Sequence, residues 1–74
     1  MEYTVIIHQA EEGGYWAEVP ALPGCYSQGE TVEETMENVR QAIEAHLEAL
    51  REDRQEIPTE GRLVIGRVEV APIR

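Results

Sequence analysis

Cys25, His8 and His46 carry the reactive heteroatoms most often used in catalysis and metal binding. A cysteine can act as a nucleophile when a base such as histidine lies within hydrogen-bonding reach. Zinc sites usually show paired ligands at short spacing, whereas these three residues are scattered along the chain. We therefore interpret Cys25 as a small apolar residue in a strand. We interpret His46 as a residue that borders the apolar stripe of a helix. We predict no catalytic residue, no metal and no cofactor.

Glutamates are the other side chains that could perform chemistry, because metal-dependent nucleases gather carboxylates around their ions. The candidates are Glu18, Glu30, Glu33, Glu34 and Glu37. Charge-dense helix faces are usually only solvated, so a metal-dependent nuclease is the weakest alternative. We expect these glutamates to form an acidic patch that meets a basic protein partner.

Composition also favours a protein partner over nucleic acid. The 74 residues include 15 acidic and 6 basic side chains, for a net charge of −9, and every basic residue is arginine. Such a surface repels phosphate backbones, so we expect no direct nucleic-acid binding. No stretch approaches the roughly 20 apolar residues of a membrane span, and the first residues lack the basic start of a secretory signal. The sequence indicates one cytoplasmic globular domain over residues 1–74.

Alternating hydrophobic patterns predict the strands that position these residues. A hairpin connection containing Gly13 and Gly14 joins the first two strands, because paired glycines readily adopt positive φ. The predicted strands are Glu2–Gln9, Tyr15–Val19, Cys25–Gln28 and Leu63–Val70.

A helix is predicted over residues 32–53, with Thr31 as its N-cap and Glu34 completing a capping box. Its apolar stripe comprises Val32, Met36, Val39, Ile43, Leu47 and Leu50. The order β-β-β-α-β predicts an α+β fold, in which one helix packs on one face of an antiparallel sheet.

Self-association is expected because the domain is small. A chain of this size buries only about 60% of the surface that its unfolded form exposes, and a single cysteine allows no internal disulfide. The sheet face away from the helix would leave a large apolar patch on a monomer. We therefore predict a homo-oligomer whose interface includes Ile6 and Trp16.

The run GYWAEVPALPGCYSQGET, from Gly14 to Thr31, resembles the HicB family of antitoxins. That family typically shows the pattern Y-x-A-x-x-P-x-L-P-G-C-x-x-x-G-x-T, followed by a helix rich in Glu and Ala. The segment from Val32 to Ile43 continues the similarity, as does the pair Ile57-Pro58. The resemblance covers essentially the whole chain.

The resemblance implies a partial RNase H-like fold and a non-enzymatic protein. It also implies a partner, a small basic HicA-type toxin that cleaves mRNA and is neutralised by direct contact with the antitoxin. Many family members carry a C-terminal DNA-binding domain, but only four residues follow the last predicted strand, too few to form one, so the sequence predicts no domain for operator binding. The alternative function is an orphan oligomeric protein-binding module without a toxin.

We predict that the toxin docks on the third strand and the start of the helix, where acidic and aromatic side chains meet. The predicted partner-binding residues are Tyr26, Gln28, Glu30, Glu33, Glu34 and Glu37.

Overall fold

The structure, a computed structural model that describes residues 1–73, contains a three-stranded antiparallel sheet and one long helix. The elements are β1 (Ile6–Gln9), β2 (Tyr15–Glu18), β3 (Tyr26–Gly29) and α1 (Val32–Glu52). The sheet order is β1-β2-β3, so β2 is the central strand. The predicted α+β class is therefore confirmed, although β1 and β2 are shorter than the sequence pattern indicates and β3 is shifted by one residue.

The pairing register of the strands shows which residues lie on each face of the sheet. Ala17 lies between Ile7 and Ser27, and its side chain is fully buried. The next position, Trp16, lies between His8 and Gln28. Because successive side chains in a strand point to opposite faces, the row through Ala17 packs toward α1 and the row through Trp16 lies on the uncovered face.

The core is built largely by the central motif of the sequence. Leu22 is fully buried, and the backbone around it is closed by hydrogen bonds from Leu22 N–H to the Val19 carbonyl and from Val19 N–H to the Cys25 carbonyl. Gly24 adopts a φ of 87°, which a side chain rarely allows. The buried cluster comprises Ala17, Val19, Leu22, Cys25 and Val39.

Thr31 is the N-cap of α1, as predicted. The Thr31 hydroxyl accepts a hydrogen bond from the Glu34 N–H at 3.0 Å. The Glu34 carboxylate reaches back, at 3.3 Å, to the N–H of Glu30, one residue before the cap. The first contact satisfies a backbone donor that the first helical turn leaves free. The second differs from a capping box, in which the carboxylate would bond the N–H of the cap residue itself.

The buried face of α1 differs from the predicted stripe in its first turns. Val39 is buried, and Ile43 and Leu47 pack against the core, but Met36 is 45% exposed. Val32 is also exposed, and Thr35 is fully buried instead. The reason is the close approach of β3 to the helix: a Cβ at Gly29 would lie 2.8 Å from the backbone nitrogen and hydroxyl of Thr35.

The predicted strand at Leu63–Val70 is not formed in the part of the chain that the structure describes, where no regular element follows α1. Val64 is 96% exposed and Val68 is 86% exposed. A strand needs a neighbour to receive its backbone hydrogen bonds, and no backbone bond joins residues 62–73 to β1 or β3. The prediction was wrong because the hydrophobic alternation indicates a strand-forming segment without indicating where its partner strand lies.

The segment before this tail is anchored to the start of the chain. Glu60 accepts hydrogen bonds from both the N–H and the hydroxyl of Thr4, each at 2.6 Å. The Tyr3 hydroxyl donates to the carbonyl of Pro58 at 2.5 Å. Residues 58–60 therefore lie beside the residues that lead into β1.

The Thr4–Glu60 contact predicts a pH-dependent contribution to stability. The hydrogen bonds from the hydroxyl and backbone of Thr4 lower the pKa of Glu60. Because the folded-state pKa is depressed, the stabilisation is present above the unfolded-state value, about 4.3, and is lost as pH falls through the folded-state value. In thermal melts, the native chain should exceed Glu60→Gln in Tm at neutral pH, and the difference should shrink in acid. A difference that is constant with pH would contradict this assignment.

The close contact between β3 and α1 predicts a position that tolerates no side chain. Gly29→Ala should destabilise the fold by roughly 1–3 kcal/mol, the usual cost of overpacking, because the added methyl group meets the backbone of Thr35. Gly61→Ala is the matched control, since a Cβ there meets nothing within 4 Å. Urea unfolding measures both variants, and equal midpoints would show that the contact is wrongly placed.

Candidate protein-docking surface

The uncovered side of the sheet carries two cross-strand rows of side chains. One row is Ile6, Glu18 and Tyr26, and the other is His8, Trp16 and Gln28. We call these six residues the open sheet face. Trp16 is 36% exposed and Tyr26 is 60% exposed, so large aromatic surface faces solvent next to polar groups.

Aromatic contacts order this face. The His8 ring stacks on Trp16 with a centroid distance of 4.1 Å and an interplanar angle of 18°. Tyr26 lies on the other side, with its ring centroid 6.2 Å from that of Trp16. The His8 imidazole is also held by Glu18, whose Oε2 lies 2.6 Å from Nε2. Trp16 is thus fixed before any partner binds, which lowers the entropy lost on binding.

Acidic groups border the aromatic cluster where β3 meets α1. A groove there is lined by Tyr15, Trp16, Gln28, Gly29, Glu30, Glu34 and Asn38. The Asn38 amide donates to the Gln28 carbonyl at 2.8 Å, which ties the helix to the end of β3. Glu33 and Glu34 occupy the first helical turn, where the helix dipole stabilises negative charge.

The structure brings together four of the six residues predicted to bind a partner. Tyr26 and Gln28 lie on the open sheet face, and Glu30 and Glu34 line the adjoining groove. These four residues and Trp16 form one candidate contact surface for a protein partner, which we call the docking surface. Glu33 is exposed beside it on the first turn of α1.

Glu37 does not belong to this group. It lines a different groove, beside Tyr3 and Val5, and its carboxylate binds Arg40 at 2.6 Å. The helical spacing placed Glu37 one turn after Glu33, but it could not indicate which side of the helix β3 covers. The sequence did not indicate that Asn38 and His8 lie at this surface, since an asparagine in a helix carries no distinctive signal and His8 drew attention only as a possible base or metal ligand.

Cys25 lies apart from the docking surface. Its side chain is buried in the core, and this burial raises the pKa of the thiol. A neutral buried thiol is a poor nucleophile, and His8, the nearest predicted base in the sheet, lies on the opposite face. Cys25 therefore acts as a core residue, as the sequence analysis interpreted it.

The remaining charges do not offset the acidic character of the surface. Arg40 bridges Glu37 and Glu44, and Arg51 pairs with Glu48 along the exposed side of α1. Hydrogen bonding to Glu37 raises the pKa of Arg40, so this guanidinium stays charged and bound within its own helix. Such an arrangement suits electrostatic attraction of a basic protein surface.

Residues 1–73 contain no group of three or more His, Cys, Asp or Glu side chains arranged to hold a metal ion. The described part of the chain also has no helix with the length and apolar character needed to cross a bilayer.

Comparison with known proteins identifies relatives of this chain. Residues 3–68 match the model of the family described as HicB_like antitoxin of bacterial toxin-antitoxin system. A UPF0150 protein of Thermoplasma acidophilum is 48% identical over 58 residues, which cover 78% of this chain and 84% of the relative.

Solved structures agree with the family match. The N-terminal domain of the antitoxin HicB from Burkholderia pseudomallei superposes with a TM-score of 0.74 at 32% identity, over 85% of this chain and 74% of that one. A chain of a HicA3 and HicB3 toxin–antitoxin complex superposes with a TM-score of 0.69 at 27% identity, over 81% and 69% of the two chains. The motif, the fold and the match over residues 3–68 show that this chain belongs to the HicB-like antitoxin family.

Proposed function

We propose that the chain is an antitoxin that binds a small basic HicA-type toxin by direct contact and blocks its cleavage of mRNA, without catalysing a reaction itself. The observation that carries this proposal is the likeness to a chain from a HicA3 and HicB3 toxin–antitoxin complex. The docking surface supplies a physical basis for the binding, because it combines exposed aromatic groups with carboxylates.

Trp16 is the proposed anchor of the contact. Aromatic side chains in the centre of an interface often carry much of the binding energy, and Trp16 is already held by its stack with His8. Tyr26 extends the same aromatic surface toward β3, and Gln28 offers an exposed amide for hydrogen bonding. These residues would supply affinity at short range.

Glu30, Glu33 and Glu34 are proposed to attract and orient the toxin. A net charge of −9 draws a basic partner toward the chain, and these three glutamates concentrate negative charge beside Trp16. Electrostatic complementarity of this kind acts mainly on the association rate and on the choice of partner. Glu37 is not included in the proposed contact, because Arg40 binds its carboxylate on another side of the helix.

The alternative is an orphan oligomeric module. Its support is the exposure of Ile6 and Trp16, each 36%, on one uncovered sheet face, which we proposed from the sequence as a homo-oligomer contact. Two results together would identify this function. The chain self-associates and Trp16→Asp abolishes that association, and no small basic protein co-purifies with the chain.

Charge reversal tests the proposed docking surface. Glu30→Arg with Glu33→Arg should slow association with a purified HicA-type toxin by roughly tenfold at low salt, and the effect should fade as salt screens the charges. Neither side chain forms the Thr31 cap, so the helix should persist. Stopped-flow or biosensor kinetics measure the rate.

Glu52→Arg with Glu56→Arg is the matched control, because it changes the charge equally at and beyond the far end of α1. The control should alter the rate much less. Equal effects of the two pairs would indicate that only net charge matters and would contradict docking at β3 and the start of α1.

A further inference from the structure

We propose that residues 62–70 of one copy add a strand to the β1 edge of a second copy, so that two chains exchange their C-terminal segments. Val64, Val68 and Val70 of this tail would lie in an apolar groove of the partner. The groove is lined by Tyr3, Val5, Met36, Val39 and Ile43, and bordered by Glu37 and Arg40.

The tail has the composition of a strand but lacks a neighbour. Val64, Val68 and Val70 occupy even-numbered positions and share one face of an extended segment. All three are strongly exposed, as are Ile65 and Ile73. β-branched residues favour strands, and so much exposed apolar surface on one segment marks an interaction site.

The groove has the form that such a strand needs. It runs between the residues that precede β1 and the side of α1 that bears Met36. A second depression continues it along the helix as far as Leu47, sharing Tyr3, Arg40 and Ile43 as lining residues. From Met36 to Leu47 the helix rises about 16 Å, the length of about five residues of a strand.

β1 also offers an unpaired backbone edge. The sheet order β1-β2-β3 leaves one side of β1 without a neighbour. A strand laid there would bond to that edge and would cover Met36, whose exposure departs from the predicted stripe. One added strand therefore accounts for both the exposed tail and the exposed part of the helix.

Charge favours another copy of this chain as the occupant. Residues 61–74 hold three arginines and one glutamate, for a net charge of +2, whereas residues 1–60 hold three arginines and fourteen acids, for a net charge of −11. The tail is thus attracted to a body like its own.

Exchange between copies follows from the course of the tail. The hydrogen bonds of Thr4 with Glu60 hold the base of the tail beside β1, but beyond Gly61 the side chains are exposed to solvent. The described chain is accordingly elongated, with extents of 51 × 29 × 19 Å. Each copy has one unpaired tail and one empty groove. A two-fold exchange therefore pairs both tails and fills both grooves, which forms a closed dimer.

Light scattering of the purified chain tests the exchange. The native chain should have twice the mass of one chain, and Val64→Asp with Val68→Asp should halve that mass. Because neither valine belongs to the buried core, the helical circular dichroism should be retained. Glu69→Gln is the control on the other face of the tail and should remain dimeric.

Cross-linking distinguishes exchange from a tail that folds back on its own chain. Val68→Cys and Met36→Cys, made in separately tagged chains and mixed under oxidising conditions, should form a disulfide between the two tags, whereas buried Cys25 should not compete. A single-chain mass for the native protein, or a dimer that survives both aspartates, would overturn the proposal. No toxin is present in either test, so failure here leaves the antitoxin function untouched.

Discussion

The packing of one helix against one face of a three-stranded sheet is the contact on which the rest of this structure depends. Ala17 on the central strand and Val39 on α1 are both buried at this layer, and Gly29 allows the backbone of β3 to touch the first turns of the helix. Because a single helix covers only one side, the other sheet face and the β1 edge remain uncovered. Both become available to other polypeptides.

The distribution of charge also favours contact with other polypeptides. The arginines of the helix centre and end are engaged by glutamates three or four residues away, so they do little to neutralise the docking surface. Exposed ion pairs of this kind add little stability. The excess of carboxylates instead gives the body of the chain an acidic field that favours basic partners and disfavours nucleic acid.

Local signals in the sequence predicted the elements well. The capping residues Thr31 and Glu34 and the helical repeat placed α1 within one residue of its observed end, and the glycine pair placed the first hairpin. The motif around Leu22 identified the family and also forms much of the core. These features depend on neighbours in the sequence, and this is why they could be recognised without a structure.

Contacts between distant elements could not be predicted in the same way. The burial of Thr35 and the exposure of Met36 depend on how closely β3 approaches the helix. For the same reason, the sequence pattern could not show that Glu30 and Glu34 line one groove with Gln28, whereas Glu37 lies on another side of the helix. The segment at residues 63–70 has the pattern of a strand, yet a strand requires a partner edge, which hydrophobic alternation does not specify.

Inhibition of RNA cleavage tests the central claim most directly, namely that this chain acts by binding another polypeptide. A purified HicA-type toxin would be titrated with the purified chain, and cleavage of a labelled RNA would be followed. The account predicts that cleavage stops at a fixed stoichiometric ratio of the two proteins and that the chain alone leaves the RNA intact. Continued cleavage in an excess of the chain, or cleavage by the chain itself, would contradict it.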